Sequence, residues 1–491
     1  MRYLNSKKLA AGLMPIIGLF GIALQKKIDD KKLESPNVIL ILADDLGYGD
    51  LSCYGQKILS TPQIDRMAHE GMLFTQMYSG STVSAPSRAC LMTGKNTGYA
   101  SVRANNPDQL VGDDELTLGK VFKNAGYVTG AIGKWGLGHP PPPDDPYKKG
   151  FDYFYGYINM YHAHNYYPEF LYENGRKVML NNKLATVNGV NPWADQPEGT
   201  GVSEVKNEYT HDLFNSHALE FIEKNRDKKF FLYLPFTVPH ENTEGWNFSG
   251  DGMEVPDYYE FKKMDWPTPE KGYAAMIRNM DNSVGMIIDK LKELGLDRKT
   301  LVIFTSDNGP QPGSQPWKHQ VEFFNSNGEL RDTKWTLYEG GIRVPFIARW
   351  PGVIPEGTRS VEQFAFWDFL PTFADLISQN VPDSLNGISF LPTLLGNRQT
   401  EKHDYLYWEH YNWNFAKDGA IQAIRKAKWK ALKLNVSASA RKEVFELYNL
   451  ETDPGETNNV ANQYPELVKE FSELFLSARK EFKIQPLFPK N

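Results

Sequence analysis

From residue 37 to about 375, short continuous apolar runs alternate with segments of helical period. Val38-Ile39-Leu40-Ile41-Leu42-Ala43 has no polar interruption, which predicts a strand buried on both faces, as in a parallel sheet. Tyr127 to Ile132, Phe230 to Phe236 and Leu301 to Thr305 read the same way. Between residues 272 and 294 the period changes, and Ala275, Ile277, Val284, Ile287, Ile288 and Leu291 fall on one side of a helix. The alternation predicts an α/β sandwich around a large, mostly parallel sheet. The Asn-Gly pair in Tyr172-Glu173-Asn174-Gly175-Arg176-Lys177 predicts a hairpin, and residues 166 to 205 read as an insertion beside the main sheet. The pattern breaks between Asn380 and Asn397. Beyond it, runs at 404–411, 420–425 and 428–434 predict a small antiparallel C-terminal sheet, closed by a helix from Pro465 to Phe482. The expected organisation is a catalytic domain over 36–380 and a C-terminal subdomain over 398–491.

Composition narrows the class. A chain of 491 residues can bury a large core, and 41% hydrophobic with 23% charged residues is ordinary for a globular protein. The net charge of −6 excludes a typical nucleic-acid binder, and any polyanion would need a locally basic pocket. Arg2, Lys7 and Lys8 precede an apolar run from Leu9 to Leu24. That run is short and broken by Gly and Pro, so residues 1–25 read as a secretory leader rather than a stable membrane span, with an uncleaved anchor as the alternative. The expected location is periplasmic or secreted. With Cys53 and Cys90 alone, no disulfide framework is available, and Cys90 reads as a small buried hydrophobe.

The candidate chemistry collects where the apolar runs end. Asp44 and Asp45 follow the first run, Lys134 follows Tyr127–Ile132, His240 follows Phe230–Phe236, and Asp307 and Asn308 follow Leu301–Thr305. In an open α/β sheet, ligands bind beyond the carboxyl ends of the strands, so these groups should converge. Asp44, Asp45, Asp307 and Asn308 offer only oxygen, which suits Ca²⁺ or Mg²⁺ rather than zinc. The alternative for the adjacent pair is that one aspartate caps a helix. In Ser84-Ala85-Pro86-Ser87-Arg88-Ala89-Cys90-Leu91-Met92-Thr93-Gly94, Pro86 fits a first helical turn, which puts Ser84 at a helix N-terminus.

This segment resembles the signature of the type I, formylglycine-dependent sulfatases, C/S-x-P-S-R-x-x-L-x-T-G, in its serine form as found in bacterial arylsulfatases and glycan sulfatases. The resemblance extends to Asp44-Asp45-Leu46-Gly47-Tyr48-Gly49-Asp50, Gly133-Lys134-Trp135-Gly136, Phe236-Thr237-Val238-Pro239-His240, Asp307-Asn308-Gly309, and the segment from Lys334 to Pro345. It closes with Leu447-Tyr448-Asn449-Leu450 and Asp453-Pro454-Gly455-Glu456. It implies an alkaline-phosphatase-like fold and hydrolysis of sulfate esters on glycans. Ser84 would be oxidised by a formylglycine-generating maturase to 3-oxoalanine, whose hydrate attacks sulfur. One Ca²⁺, or Mg²⁺, would be held by Asp44, Asp45, residue 84, Asp307 and Asn308. Lys134 and Lys334 would bracket the sulfate, Arg88 would hydrogen-bond residue 84 and the metal carboxylates, and His240 would protonate the leaving oxygen. Many sulfatases carry a histidine where this chain has Gly136; His139 is assigned to the missing base, with His162 nearby. The segment Ala163-His164-Asn165-Tyr166-Tyr167-Pro168 resembles one shared by glycan sulfatases, which assigns His164 to substrate contact and favours sulfated galactose or N-acetylgalactosamine. The rival readings are a phosphate mono- or diesterase of the same superfold and a catalytically silent glycan-binding homologue.

Overall fold

The strand Asn37–Ala43 is buried at every position, as its uninterrupted apolar sequence requires. In the computed structural model, which describes residues 34–105, 109–137, 146–248, 252–313, 318–412, 414–481 and 487, this strand lies at the centre of an 11-stranded sheet. It runs parallel to Thr300–Ser306 on one side and to Phe230–Pro235 on the other. Val128–Lys134 and Tyr153–Tyr157 continue the parallel run beyond Phe230–Pro235. Beyond Thr300–Ser306 the sheet turns antiparallel through Arg343–Arg349 and Met72–Tyr78.

Side-chain alternation along the central strands feeds two cores. Ile39, Ile41, Leu232 and Phe304 pack with helices Pro62–His69, Thr210–Lys224 and Thr268–Glu293. Val38, Leu40, Leu42 and Phe231 face the opposite side, toward helices Ser84–Thr93, Leu118–Asn124 and Phe369–Leu376. Each such side chain contributes about 1.5–3 kcal/mol on burial, so the sheet is fixed far more firmly than its loops.

The Asn174-Gly175 turn does form a hairpin, between Phe170–Glu173 and Arg176–Met179, with both turn residues at positive φ. Of the insertion expected over 166–205, Lys183–Leu184 and Ser203–Val205 do pair apart from the main sheet, but the hairpin does not. Phe170–Glu173 pairs antiparallel with Tyr153–Tyr157, so the hairpin extends the sheet edge.

The C-terminal sheet is four-stranded and antiparallel: Leu406–Tyr411, Ala420–Lys426, Trp429–Val436 and Val444–Asn449, in that order. Its buried Trp408 meets Trp367 at 5.5 Å and Tyr78 at 5.4 Å between ring centroids and donates to the Ser79 carbonyl. Residues 36–491 therefore form one compact unit. The closing helix runs over Pro465–Ser477, shorter than expected. The chain leaves it so that Arg479 can reach Glu409, 2.6 Å away in the sheet. The leader assigned to 1–25 lies outside the described residues, among which no helix is long and apolar enough to cross a membrane.

Candidate active site

The helix Ser84–Thr93 carries the signature, and its side chains explain the motif residue by residue. Val83 is extended and Ser84 is the first helical residue, with Pro86 still inside the first turn, where its missing N–H costs nothing. Ser87 accepts from the Gly80 N–H and donates to the Asp307 carbonyl, tying the helix start to a strand end. Gly94, at φ 68°, closes the helix in the left-handed conformation. At this helix N-terminus the Ala85 N–H donates to Asn105 Oδ1 at 3.0 Å.

Arg88 is fully buried and places its fork on Asp307, with Nε at 3.0 Å and Nη2 at 2.7 Å from Oδ2. Nη1 donates to the Lys134 carbonyl, and Nη2 lies 3.5 Å from Asp44. Arg88 makes no hydrogen bond to the unmodified Ser84; its donors go to Asp307 Oδ2 and the Lys134 carbonyl, because a charge-assisted bond to a carboxylate is stronger than one to a neutral hydroxyl. Ser84 Oγ donates to Asp44 Oδ1 at 3.2 Å. Lys134 Nζ lies 2.6 Å from Asp44 Oδ2 and 3.3 Å from Ser84 Oγ. Across the cluster, Lys334 Nζ lies 2.8 Å from Asp45 Oδ2 and 3.3 Å from His240 Nε2.

Asp45 takes a positive φ of 64° at the strand end, where its N–H donates to Asp307 Oδ1 and its Oδ1 accepts from Asn308 Nδ2. Asn308 Oδ1 is buried without a partner. An orphaned amide oxygen among buried carboxylates is the donor set of a hard divalent cation. Ligand atoms of Asp44, Asp45 and His240 also lie within 4.8 Å of one another.

The electrostatics follow from burial. Burial, reinforced by Asp44, raises the Asp307 carboxyl against the pull of Arg88. Burial lowers Lys134 despite Asp44, whereas at Lys334 the carboxylates of Asp45 and Asp44 overcome burial and raise the ammonium. His240 is held well below its usual value by burial and then by Lys334, Lys134 and His164. Its Nδ1 faces the Glu241 carbonyl at 2.6 Å, so that nitrogen carries a proton and Nε2 is the reactive face. Glu241 is itself held by Lys318 at 2.8 Å.

Ser84, Lys134, His240 and Lys334 open into a cavity of about 370 Å³. His164 lines it, stacked on His240 with centroids 4.9 Å apart and Nδ1 held by Glu244 at 3.1 Å. His162 does not reach it. That ring is buried against Tyr157 and Phe170, and burial lowers its pKa to about 3. Gly136 sits at φ 64° against the stems of Arg88 and Lys134 and contributes no imidazole. His139 lies outside the described residues. Sequence reasoning missed the cavity walls Asn105, Met160, Tyr161, Thr243, Gln311 and Trp335. The one usable signal was Trp335, an aromatic adjacent to the cavity-lining Lys334; it takes a strained φ of 77°.

The sheet is that of the alkaline-phosphatase-like architecture, its polar cluster lies beyond the carboxyl ends of the parallel strands where such sheets bind ligands, and the family follows from comparison. Residues 36–379 match the Sulfatase family, and residues 329–481 match the C-terminal region of N-sulphoglucosamine sulphohydrolase. The chain belongs to the sulfatase family and is a sulfuric ester hydrolase. An N-acetylgalactosamine-6-O-sulfatase of Bacteroides thetaiotaomicron is 30% identical over 95% of this chain and 98% of its own length. The human N-acetylgalactosamine-6-sulfatase is 32% identical over 76% of this chain and 69% of its own. Among solved structures, one crystallised with a neocarrahexaose superposes with a TM-score of 0.73 at 26% identity, covering 92% of this chain and 94% of that one.

Proposed function

We propose that this protein removes sulfate from glycans, with a preference for sulfated galactose or N-acetylgalactosamine, through a formylglycine made from Ser84. The observation that carries the reading is the placement of Ser84 Oγ within 3.3 Å of both Asp44 and Lys134 at the floor of a cavity that also presents His240 and Lys334. Asp44, Asp45, residue 84, Asp307 and Asn308 would hold one Ca²⁺ or Mg²⁺, which supplies charge neutralisation beside the nucleophile when bound. Lys134 and Lys334 balance the charge of the transferring sulfuryl group. Arg88 fixes the acidic strand ends. His240 Nε2 gives a proton to the departing sugar oxygen as the bond from that oxygen to sulfur breaks. Its depressed pKa means that it acquires this proton when an anionic ester enters between the lysines and offsets their repulsion.

The galacto preference rests on His164 and on the names of the relatives. His164, oriented by Glu244, stands beside the acid where a sugar hydroxyl would lie. His139 remains the proposed base for expelling the sulfate. A likeness to a phosphonate monoester hydrolase, at 21% identity and a TM-score of 0.62, reflects the fold alone. A secretory leader at 1–25, export to the periplasm or medium, a maturase partner, and the 36–380 and 398–491 division complete the proposal.

The test is a panel of defined sulfated monosaccharides and oligosaccharides, assayed with protein whose residue 84 is shown by peptide mass spectrometry to be formylglycine. His164→Ala should lose chiefly kcat/KM on the sugar sulfate and keep turnover of an aryl sulfate. Full sulfatase turnover by wholly unmodified protein would refute the mechanism.

A further inference from the structure

The helix that carries Ser84 is held at its start by one side chain from outside it. Asn105 follows the helix Ser84–Thr93 by a loop and returns to its first turn, where Oδ1 accepts from the Ala85 N–H at 3.0 Å. A backbone N–H requires an acceptor, so this contact fixes which way the amide faces, with oxygen to the helix and nitrogen away from it. Asn105 Nδ2 makes no hydrogen bond among the described residues, and it is not a buried orphan. The residue is half-buried and lines the catalytic cavity together with Ser84, Lys134, His240 and Lys334. The amide nitrogen is therefore the end of this side chain left to meet a ligand.

The other donors around Ser84 are cations, each engaged by a carboxylate. Lys134 Nζ lies 2.6 Å from Asp44 and 3.3 Å from Ser84 Oγ, and Lys334 Nζ lies 2.8 Å from Asp45. Arg88 is spent on Asp307. Asn105 approaches instead from the helix side, through the residue next to Ser84. It offers a neutral donor whose direction is set before any ligand arrives. Such a donor costs less to desolvate than a further cation and needs no reorganisation as charge develops on a reacting group.

A sugar hydroxyl can be met by a donor or an acceptor alike, whereas the outer oxygens of a sulfate ester only accept, so a fixed donor beside residue 84 is matched to the ester. We propose that Asn105 is a further substrate-binding residue, which donates from Nδ2 to an oxygen of the sulfuryl group undergoing transfer. The inference rests on the reading of residue 84 as the attacking group and adds to it the donor on the helix side.

Two variants bracket the role. Asn105→Asp keeps an acceptor for the Ala85 N–H and replaces the donor with a carboxylate oxygen; Asn105→Ala removes both ends and adds no charge. In full-length protein whose residue 84 is shown to be formylglycine, kcat/KM should fall by about 10²–10³-fold in Asn105→Ala, the range for removing one such donor, and further in Asn105→Asp. The fall should be equal on a phenyl sulfate and on a sugar sulfate, because the sulfuryl group is common to both. Binding of inorganic sulfate, followed by titration calorimetry, should weaken in both variants by about tenfold or more. A loss in Asn105→Ala alone would assign the residue to holding the helix, and a loss in Asn105→Asp alone would be the effect of added charge. A loss confined to the sugar sulfate would mark a sugar contact. Each of these overturns the proposal. If the matured wild type turned over neither ester, the reading of residue 84 would fail instead, and the sulfate titration would still decide Asn105.

Discussion

Two of the buried charge clusters in this molecule are built to opposite ends. At the carboxyl ends of the central strands, Asp44, Asp45 and Asp307 are crowded together with Arg88, Lys134 and Lys334, and the cluster opens into a cavity. At the junction with the C-terminal sheet, Lys430 sits between Glu339 at 3.0 Å and Glu456 at 2.9 Å, all three fully buried. Glu339 also accepts from the Tyr78 hydroxyl, and its N–H donates to Glu456 Oε2. The first cluster opens to the cavity and keeps a depressed His240; the second is closed to solvent and ties Glu339 to the C-terminal sheet. Burial makes charge costly in both. In one, that cost creates reactivity toward an incoming anion; in the other, it creates position.

The sharpest way to separate them is to remove a carboxylate from the first. Asp44→Ala deletes the acceptor of both Ser84 and Lys134. With formation of formylglycine verified, kcat/KM on a sulfated sugar should fall by about four orders of magnitude, roughly 5.5 kcal/mol, while the melting temperature moves by only a few degrees. Turnover within tenfold of the wild type would break the assignment.

His240→Ala probes the same cluster through its proton. The loss should reach about 10³-fold on a sugar sulfate, within the usual range for general acid catalysis, and stay near tenfold on an activated phenyl sulfate. Equal losses on the two substrates would remove His240 from the acid role.

The second cluster should respond in the opposite sense. Lys430→Met leaves Glu339 with Arg425 at 3.4 Å but strips the cation from Glu456, already pushed up to about 7 by burial. Removing one partner of a buried ion pair costs about 3–5 kcal/mol, read by denaturant unfolding. The rate per folded molecule should remain within severalfold of the wild type. A large fall in kcat at unchanged stability would mean that the two clusters are one device.

The first cluster was legible in the sequence and the second was not, for a physical reason. Asp44, Asp45, Asp307 and His240 follow apolar runs, and the end of a buried parallel strand is predictable from composition alone. Glu339, Lys430 and Glu456 lie on separate segments of ordinary polar sequence, and only the docking of the C-terminal sheet makes them neighbours. The same holds for Asn105, Tyr161 and Gln311, loop residues whose place in the cavity depends on tertiary structure. The short helix end at Ser477 was invisible because Arg479 is drawn off by Glu409, a long-range partner that no local periodicity reports. Where many sulfatases carry a histidine, Gly136 announced a gap; the structure adds that His162 is sequestered in the core, with His164 stacked on His240.

His410 offers the smallest test and bears on how far burial alone governs these regions. It sits on the C-terminal strand Leu406–Tyr411, with its ring 6.1 Å from that of Trp335, which walls the catalytic cavity. Burial lowers its pKa to about 4, against about 6.5 for an unfolded histidine. Between those values the native state binds fewer protons than the unfolded chain. Its effect on stability is therefore nil above pH ~6.5 and grows more unfavourable as pH falls toward 4, at about 1.4 kcal/mol per pH unit. Asp281 and Asp50, both raised to about 6 by burial, act with the opposite sign, losing stability as pH rises through their values. They are common to wild type and variant, so His410→Leu isolates the histidine. Unfolding free energies measured from pH 6 to 4.5 should fall less steeply in His410→Leu, by that one-proton slope. Parallel curves would show that His410 takes up its proton within the fold, and that the wall behind Trp335 is wetter than its burial implies.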